Sequence, residues 1–126
     1  MQIIGKIDAR IYEDEFGKLQ SDEVILTHER DIHIQLRHKQ DYPFFIKYGS
    51  ETINDPDIIL VDGKHEATVM LIKKVPEANL NVVIRLALET DNTAYKNSVM
   101  TFHRVRDSNL NKILKKNKVL YIRKQC

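Results

Sequence analysis

Apolar and polar residues alternate in several short stretches of the chain, which is typical of strands that bury one face. In the first stretch, residues 2–12, the apolar side chains of Ile7, Ala9 and Ile11 are separated by charged residues. A short apolar run at Val24–Leu26 either pairs briefly with a strand or packs over the segment that follows it. These patterns predict an edge strand at 2–12, further strands at 58–61, 68–75, 81–89, 98–105 and 119–123, and polar turns or loops at 13–22, 76–79 and 90–97.

The segment from Thr27 to His38 has the pattern of a capped helix. Thr27 carries a hydroxyl that accepts a hydrogen bond from a free N–H of the first turn, and Glu29 suits the positive end of the helix dipole. At about 100° per residue, Ile32 and Leu36 lie one turn apart. They form the predicted core-facing stripe of this helix.

Two further helices are predicted. The second begins at Tyr42-Pro43, since proline fits the first turn of a helix, and the polar residues 54–57 end it. A short third helix runs from residue 107 or 108 to residue 116. The residues predicted to face the core are Tyr42, Phe45, Ile46, Gly49 and Ile53 in the second helix and Leu110, Ile113 and Leu114 in the third.

Together these elements predict one α+β domain over residues 1–126. The helices are expected to lie on one side of a mainly four-stranded antiparallel sheet. Two of them precede the sheet, an extra strand lies at the N-terminus, and a short C-terminal helix comes before the last strand. The chain has 126 residues, of which 42% are hydrophobic, so it is long enough to bury one core.

Cysteine content and hydropathy bear on where the protein acts. The single cysteine is Cys126, so no disulfide framework can form within the chain. No apolar run approaches the roughly 20 residues of a transmembrane helix, and the N-terminus lacks the apolar core of a signal peptide. We therefore expect a cytoplasmic protein with no membrane role.

The net charge of +2 is unevenly distributed along the chain. Residues 1–63 carry a charge of −6, and residues 64–126 carry +8. A basic half of this size would steer a nucleic acid toward the protein. Lysines scattered over the surface for solubility explain the same count equally well, so the charge alone does not decide the function.

Several common chemistries lack their motifs in this sequence. The histidines show neither an H-E-x-x-H pattern nor the spacing of zinc ligands, and the four glycines are too isolated for a phosphate-binding loop. No nucleophile elbow marks a serine hydrolase. We therefore predict no metal site and no cofactor.

Metal-free cleavage of RNA fits the remaining residues better. When the 2′-hydroxyl attacks the adjacent phosphorus, one group must accept its proton, another must protonate the leaving oxygen, and cations must stabilise the phosphoryl oxygens. On the first helix, Arg30, His33 and Arg37 cluster along one flank of the predicted stripe. Histidine suits the proton transfers, and arginine suits the phosphate oxygens. Ordinary packing and hydrogen bonding also explain a histidine beside a core stripe.

Two strands carry further candidates. Arg85 lies on the strand face opposite the aliphatic residues Val82, Ile84, Leu86 and Leu88, and Thr101 and His103 share the face opposite Met100 and Phe102. A solvated or salt-bridged sheet residue explains Arg85 as well as a functional role does. An exposed sheet histidine is the simpler explanation for His103.

The helix motif T-x-E-R-x-x-H-I-x-x-R-H, followed by Asp41-Tyr42, resembles the phage-associated branch of the barnase–EndoU–colicin–RelE nuclease superfamily. The resemblance covers roughly residues 5–124, and its further segments follow in the family's order: Ile53-Asn54-Asp55-Pro56-Asp57-Ile58-Ile59, the Arg85 strand, Tyr95-Lys96-Asn97-Ser98-Val99-Met100-Thr101-Phe102 and Lys118-Val119-Leu120-Tyr121. It implies two N-terminal helices, a four-stranded antiparallel sheet with the active groove on it, and metal-independent RNA cleavage by toxin-like domains of phages and mobile elements.

The resemblance also implies roles for particular residues. The family's helix histidine and arginine correspond to His33 and Arg37, its strand arginine to Arg85, and its polar pair to Ser98 and Thr101. The predicted site therefore has two parts: catalytic residues His33, Arg37, Arg85 and Thr101, and substrate-binding residues Arg30, His38, Tyr42, Ser98 and His103, with His103 as a second acid or base.

The expected partners are an RNA substrate in the bacterial cytoplasm and a cognate immunity or antitoxin protein. The alternative is a non-catalytic phage-derived module on the same scaffold that docks on a host protein or nucleic acid. A third interpretation is a structural domain of a virion or mobile element, which no sequence pattern specifically supports.

Overall fold

One mixed sheet of seven strands organises the part of the chain that the structure describes, residues 2–124. In this computed structural model four helices pack on that sheet, which is the α+β class predicted from the sequence. Cys126 lies outside the described residues. In chain order the elements are β1 (Gln2–Lys6), α1 (Ala9–Phe16), β2 (Glu23–Leu26), α2 (His28–Arg37), α3 (Tyr42–Asn54), β3 (Ile58–Val61), β4 (Thr68–Val75), β5 (Ala78–Arg85), β6 (Asn97–Val105), α4 (Asp107–Lys116) and β7 (Val119–Ile122).

The sheet contains the predicted four-stranded unit and three further strands. Its order is β1-β2-β6-β5-β4-β3-β7. The strands β3 to β6 follow one another as an antiparallel meander. β7 is added antiparallel beside β3, whereas β2 pairs parallel with β6 and carries β1 at the outer edge. The sheet is therefore mixed and wider than the mainly four-stranded sheet that was predicted.

The predicted strand over residues 2–12 is wrong beyond residue 6, because α1 follows it. Asp8 caps α1: its Oδ1 accepts a hydrogen bond from the backbone N–H of Arg10 at 3.2 Å. Tyr12 and Phe16, four residues apart, lie on one helix face and pack into the core. The edge position of the first strand is confirmed, since β1 is an outermost strand.

Helices cover both faces of the sheet, so the predicted one-sided arrangement is wrong. On one face, α1, α2 and α3 contribute to the larger core, which includes Ile34, Phe45 and Phe102. On the opposite face, α4 contributes Leu110 to a smaller cluster with Leu60 of β3. Because β3 and β4 are buried on both faces, their sequences are nearly continuous apolar runs. Among the described residues, no helix combines the length and the apolar character needed to cross a membrane.

α3 agrees with its predicted bounds and with most of its predicted buried face. It runs from Tyr42 to Asn54 with a proline in the first turn. Phe45 and Ile53 are buried, whereas Ile46 is 67% exposed and was wrongly assigned to the core.

α2 begins as predicted but buries a different face. The Oγ1 of Thr27 accepts a hydrogen bond from the backbone N–H of Arg30 at 3.2 Å and caps the helix. The predicted apolar stripe is wrong, because Ile32 is 40% exposed and Leu36 is 77% exposed. Ile34 is fully buried in their place.

The different face follows from the position of α2 along the edge of β6. β2 pairs with only the first two residues of β6. Beyond them, Arg30 Nη1 donates to the Met100 carbonyl at 3.4 Å, and Asp41, after α2, accepts from the backbone N–H of Arg104 at 3.4 Å. A helix that packs on a strand edge buries a narrow seam, so one polar flank of α2 faces the protein.

A β-bulge in β6 changes which of its side chains share a face. Val99 and Thr101 pair with consecutive residues of β5, so Met100 between them is an extra residue. The prediction that Met100 and Phe102 share a face is therefore wrong. Val99 and Phe102 are in the larger core, whereas Met100 and Thr101 border a cavity on the opposite face.

Candidate functional site

An open cavity of about 630 Å³ lies on the sheet face opposite the larger core. Strands β4, β5 and β6 form its floor, α2 forms the wall beside β6, and the loop between β3 and β4 forms the other wall. We call it the α2 cavity. It is lined by Arg30, His33, His38, Asp62, His65, Glu66, Thr68, Val83, Arg85, Met100 and Thr101.

Arg85 supplies a positive charge to the floor of the α2 cavity. The alternation of β5 places it on the face opposite the core residues Val82 and Ile84. Its guanidinium donates to the Leu86 carbonyl and lies 3.8 Å from Oδ2 of Asp91. These contacts hold the group in place, while a guanidinium has five N–H donors and thus keeps others for a ligand.

Thr101 brings a hydroxyl to the same floor through the β-bulge. Its Oγ1 is buried and has no hydrogen-bond partner among the described residues. Since buried polar groups are normally hydrogen-bonded, this hydroxyl is available to a polar ligand in the cavity.

Three imidazoles follow one another from the α2 wall to the sheet. The rings of His33 and His38 meet edge to face, with centroids 6.3 Å apart. His38 in turn stacks on His103 of β6, with centroids 5.8 Å apart. Burial lowers the pKa of His103, and the nearby His38 lowers it further, while Asp41 opposes the shift. His103 thus favours the neutral form more than a solvated imidazole does.

A fourth imidazole stands on the opposite wall. His65 Nδ1 lies 2.9 Å from Oδ2 of Asp62, and the backbone N–H of Lys64 donates to the other oxygen of the same carboxylate at 2.9 Å. The carboxylate orients the ring by one nitrogen and leaves Nε2 for proton exchange. His65 was not among the site residues predicted from the sequence. The spacing of Asp62 and His65 after a buried strand is the only sequence signal that points to it.

Five of the nine predicted site residues line this one cavity: Arg30, His33, His38, Arg85 and Thr101. His103 adjoins them through His38, and Ser98 lines a neighbouring cavity of about 350 Å³ that also includes Arg85. Arg37 is exposed and does not line the α2 cavity. Tyr42 also lies apart, since its hydroxyl donates to Oδ1 of Asp31 at 2.8 Å.

A cavity of about 780 Å³ at the turn between β4 and β5 is larger but less suited to chemistry. Three of its charged groups have partners within the protein, since Arg104 pairs with Asp41 and the side-chain amide of Asn79 donates to Asp107 at 2.7 Å, and among the described residues no histidine lines it. Within residues 2–124, no three histidine, cysteine, aspartate or glutamate side chains form a group that could hold a metal ion.

The α2 cavity therefore combines two guanidiniums, imidazoles on both walls, the carboxylates of Asp62 and Glu66, and a hydroxyl that has no hydrogen-bond partner among residues 2–124. Planar guanidiniums bind phosphate oxygens, and imidazoles exchange protons near neutral pH. This set suits a phosphodiester.

Comparison of the chain with protein-family models, with curated proteins and with solved structures found no match. The resemblance to the nuclease superfamily thus stays a prediction from the sequence motifs.

Proposed function

We propose that the protein is a metal-independent endoribonuclease that cleaves RNA by attack of the 2′-hydroxyl on the adjacent phosphorus. The observation that carries the proposal is the common position of His33, His65 and Arg85 around one open cavity. The two histidines stand on walls that flank β5, and the arginine lies on β5 between them.

The two histidines supply the proton transfers. One imidazole accepts the proton of the 2′-hydroxyl as its oxygen bonds to phosphorus. The other donates a proton to the 5′-oxygen as the bond from phosphorus to that oxygen breaks. The products are a 2′,3′-cyclic phosphate and a free 5′-hydroxyl. Because one histidine must be neutral and the other protonated, activity should have a bell-shaped pH profile.

The two arginines and Thr101 stabilise the charge that develops on the phosphoryl oxygens. Arg85 is held by Asp91 and the Leu86 carbonyl, so its fork is fixed before the substrate binds. Arg30 has one such contact, a hydrogen bond of 3.4 Å from Nη1 to the Met100 carbonyl. Fixed donors need no reorganisation in the transition state, which is the main source of such electrostatic stabilisation. The Thr101 hydroxyl adds one donor to a phosphoryl or ribose oxygen.

The proposal identifies RNA as the substrate and the cytoplasm as the place of action. An immunity or antitoxin protein of the kind that the sequence resemblance implies would inhibit the enzyme by covering the α2 cavity with acidic side chains. The guanidiniums of Arg30 and Arg85 border the cavity and would pair with such acidic side chains, whereas Asp62 and Glu66 on the loop wall would oppose them.

The test is incubation of purified protein with total bacterial RNA in excess EDTA. We expect fragments with 2′,3′-cyclic phosphate ends from the wild type, and cleavage slower by about 100-fold or more from His33→Ala or Arg85→Ala. His28→Ala is the matched control, because His28 is exposed on α2 and does not line the cavity, and it should cleave normally.

A cooperative thermal melt of each variant would show that it is folded and that its loss of cleavage is not a loss of structure. Intact RNA with the folded wild type would overturn the proposal. Salt-dependent RNA binding without cleavage would then favour the non-catalytic binding module.

A further inference from the structure

A second cavity, of about 640 Å³, lies on the same sheet face between β6 and α4. We call it the α4 cavity. It shares Asp62 with the α2 cavity, and His103 in its lining stacks on His38 of the α2 cavity. The two cavities therefore adjoin on this face of the sheet, and we call them together the groove.

Three lysines line the α4 cavity: Lys64, Lys112 and Lys116. Within residues 2–124 none of their ammonium groups has a hydrogen bond or an ion pair. Two lysines elsewhere in the chain are in ion pairs, Lys73 with Asp55 and Lys118 with Glu15.

One carboxylate faces these lysines among the described residues that line the α4 cavity. It belongs to Asp62, which already accepts from the loop backbone and contacts His65. The cavity thus has an uncompensated positive charge.

The lysines are spaced as a nucleic-acid strand requires. Lys112 and Lys116 are four residues apart on α4, so they lie on one helix face about 6 Å apart along its axis. This is close to the spacing of consecutive phosphates in a single strand. The cavity is also lined by Met70 and Val105, which are buried, and by Ile113, whose half-buried side chain gives an unstacked base an apolar contact.

We propose that the α4 cavity binds the same RNA strand beyond the scissile phosphate, so that the substrate is single-stranded RNA several nucleotides long. The inference rests on the proposed ribonuclease function for the identity of the strand. It goes beyond that function in assigning a second site, its residues and the single-stranded form of the substrate. Duplex RNA is disfavoured because its bases are stacked and cannot contact the apolar residues.

The test measures binding separately from cleavage, using labelled DNA, which lacks the attacking 2′-hydroxyl. The probes are a dinucleotide and a single strand of about six nucleotides. The variant is Lys112→Gln/Lys116→Gln. The matched control is Lys115→Gln/Lys18→Gln, which also removes two positive charges. Lys115 is on α4, and neither lysine lines either cavity.

We expect the longer strand to bind the wild type at least about tenfold more tightly than the dinucleotide does. The cavity variant should lose this advantage, and its plot of log affinity against log salt should become shallower by about 1.4, or 0.7 for each lysine. The control variant should keep both the affinity and the slope. Affinity of the dinucleotide should be unchanged throughout.

Two results would overturn the inference while leaving the ribonuclease proposal intact: equal losses in the cavity variant and the control, or equally tight binding of a duplex of the same length. If the longer strand binds as expected but no RNA is cleaved, the α4 cavity is a nucleic-acid site and the ribonuclease proposal fails.

Discussion

The imidazole of His38, at the end of α2, stacks on the imidazole of His103 in β6, with ring centroids 5.8 Å apart and ring planes inclined by 28°. The pair lies where the α2 cavity and the α4 cavity meet, since each ring borders one of them. Nε2 of His103 also lies 3.4 Å from the side-chain amide of Asn81 on the neighbouring strand. The stack therefore joins the helix that carries one wall of the groove to the sheet that forms its floor.

Because His103 is buried in this stack, we expect the free energy of unfolding to fall on acidification. Burial and the nearby His38 lower the pKa of His103 below its ordinary value of 6.5. The unfolded chain therefore binds more protons between the two pKa values. The stability contributed by neutral His103 is complete above about pH 6.5 and is lost as the pH falls toward its folded pKa.

Urea unfolding at a series of pH values from about 7.5 to 5 would measure this loss. His103→Gln should remove part of the pH dependence, because glutamine does not titrate in this range. His28→Gln, at an exposed position, should not change it. If His103→Gln kept the full pH dependence, another group would be responsible.

Thr101→Val should separate function from stability. Valine has nearly the same shape and removes a buried hydroxyl that lacks a partner among the described residues. Stability should be unchanged or higher by up to about 1 kcal/mol, since an unpartnered buried hydroxyl is unfavourable. Cleavage should fall by about tenfold if this hydroxyl donates to the substrate, because one neutral hydrogen bond is lost. Thermal melts and initial rates, with Thr93→Val at an exposed position as the control, would show both effects.

The sequence predicted well what depends on neighbouring residues. Thr27 caps α2 as expected, and the bounds of β3 and β4 agree with the prediction to the residue. The prediction that Ile32 and Leu36 face the core is wrong. Periodicity shows that a helix has an apolar side, but it does not show whether the helix packs on a sheet face or on a strand edge. The position of α2 depends on β2, which pairs with only two residues of β6 and so leaves the rest of the β6 edge open to α2.

The sequence predicted some residues of the candidate site but not its shape. His33 and Arg85 were selected from chemistry and from a sequence resemblance, and they line the same cavity. His65 was missed, because only the folding of the loop between β3 and β4 brings it toward α2. The bulge at Met100 was also invisible in the alternation of β6, and it is this bulge that places Met100 and Thr101 together at the cavity.

Asn97 should be among the most important polar residues for stability. Its fully buried side chain donates to the carbonyls of Ser21 and Glu23, at 2.7 and 2.8 Å, and accepts from the backbone N–H of Ala87 at 2.8 Å. Asn97→Ala leaves these three groups without their partner and should cost about 2–4 kcal/mol.

Denaturant unfolding measures the cost of Asn97→Ala directly. Asn111→Ala, at an exposed position of α4, is the control and should change stability by less than about 0.5 kcal/mol. Similar small effects in both variants would mean that water replaces the Asn97 side chain without cost.

Variants of Arg37 and Arg85 would show whether the sequence motif or the α2 cavity marks the active site. Both were assigned catalytic roles from the sequence, but Arg85 lines the α2 cavity and Arg37 is exposed outside it. If the cavity is the active site, Arg85→Ala should reduce kcat/KM by about 100-fold, as expected for removing a fixed donor to the transition state. Arg37→Ala should reduce it by less than about threefold, since an exposed charge acts on the substrate only through solvent.

Stability must be separated from catalysis in this comparison. Arg85 contacts Asp91, but that carboxylate also accepts from the backbone N–H of Leu88 at 2.8 Å and so keeps a partner in the variant. Arg85→Lys preserves the charge without the fork, and it should recover only part of the activity because lysine cannot bind two phosphate oxygens in parallel. Equal losses in Arg37→Ala and Arg85→Ala, with both variants folded, would show that the substrate lies along the outer face of α2, and the reaction would then have to be reassigned to that surface.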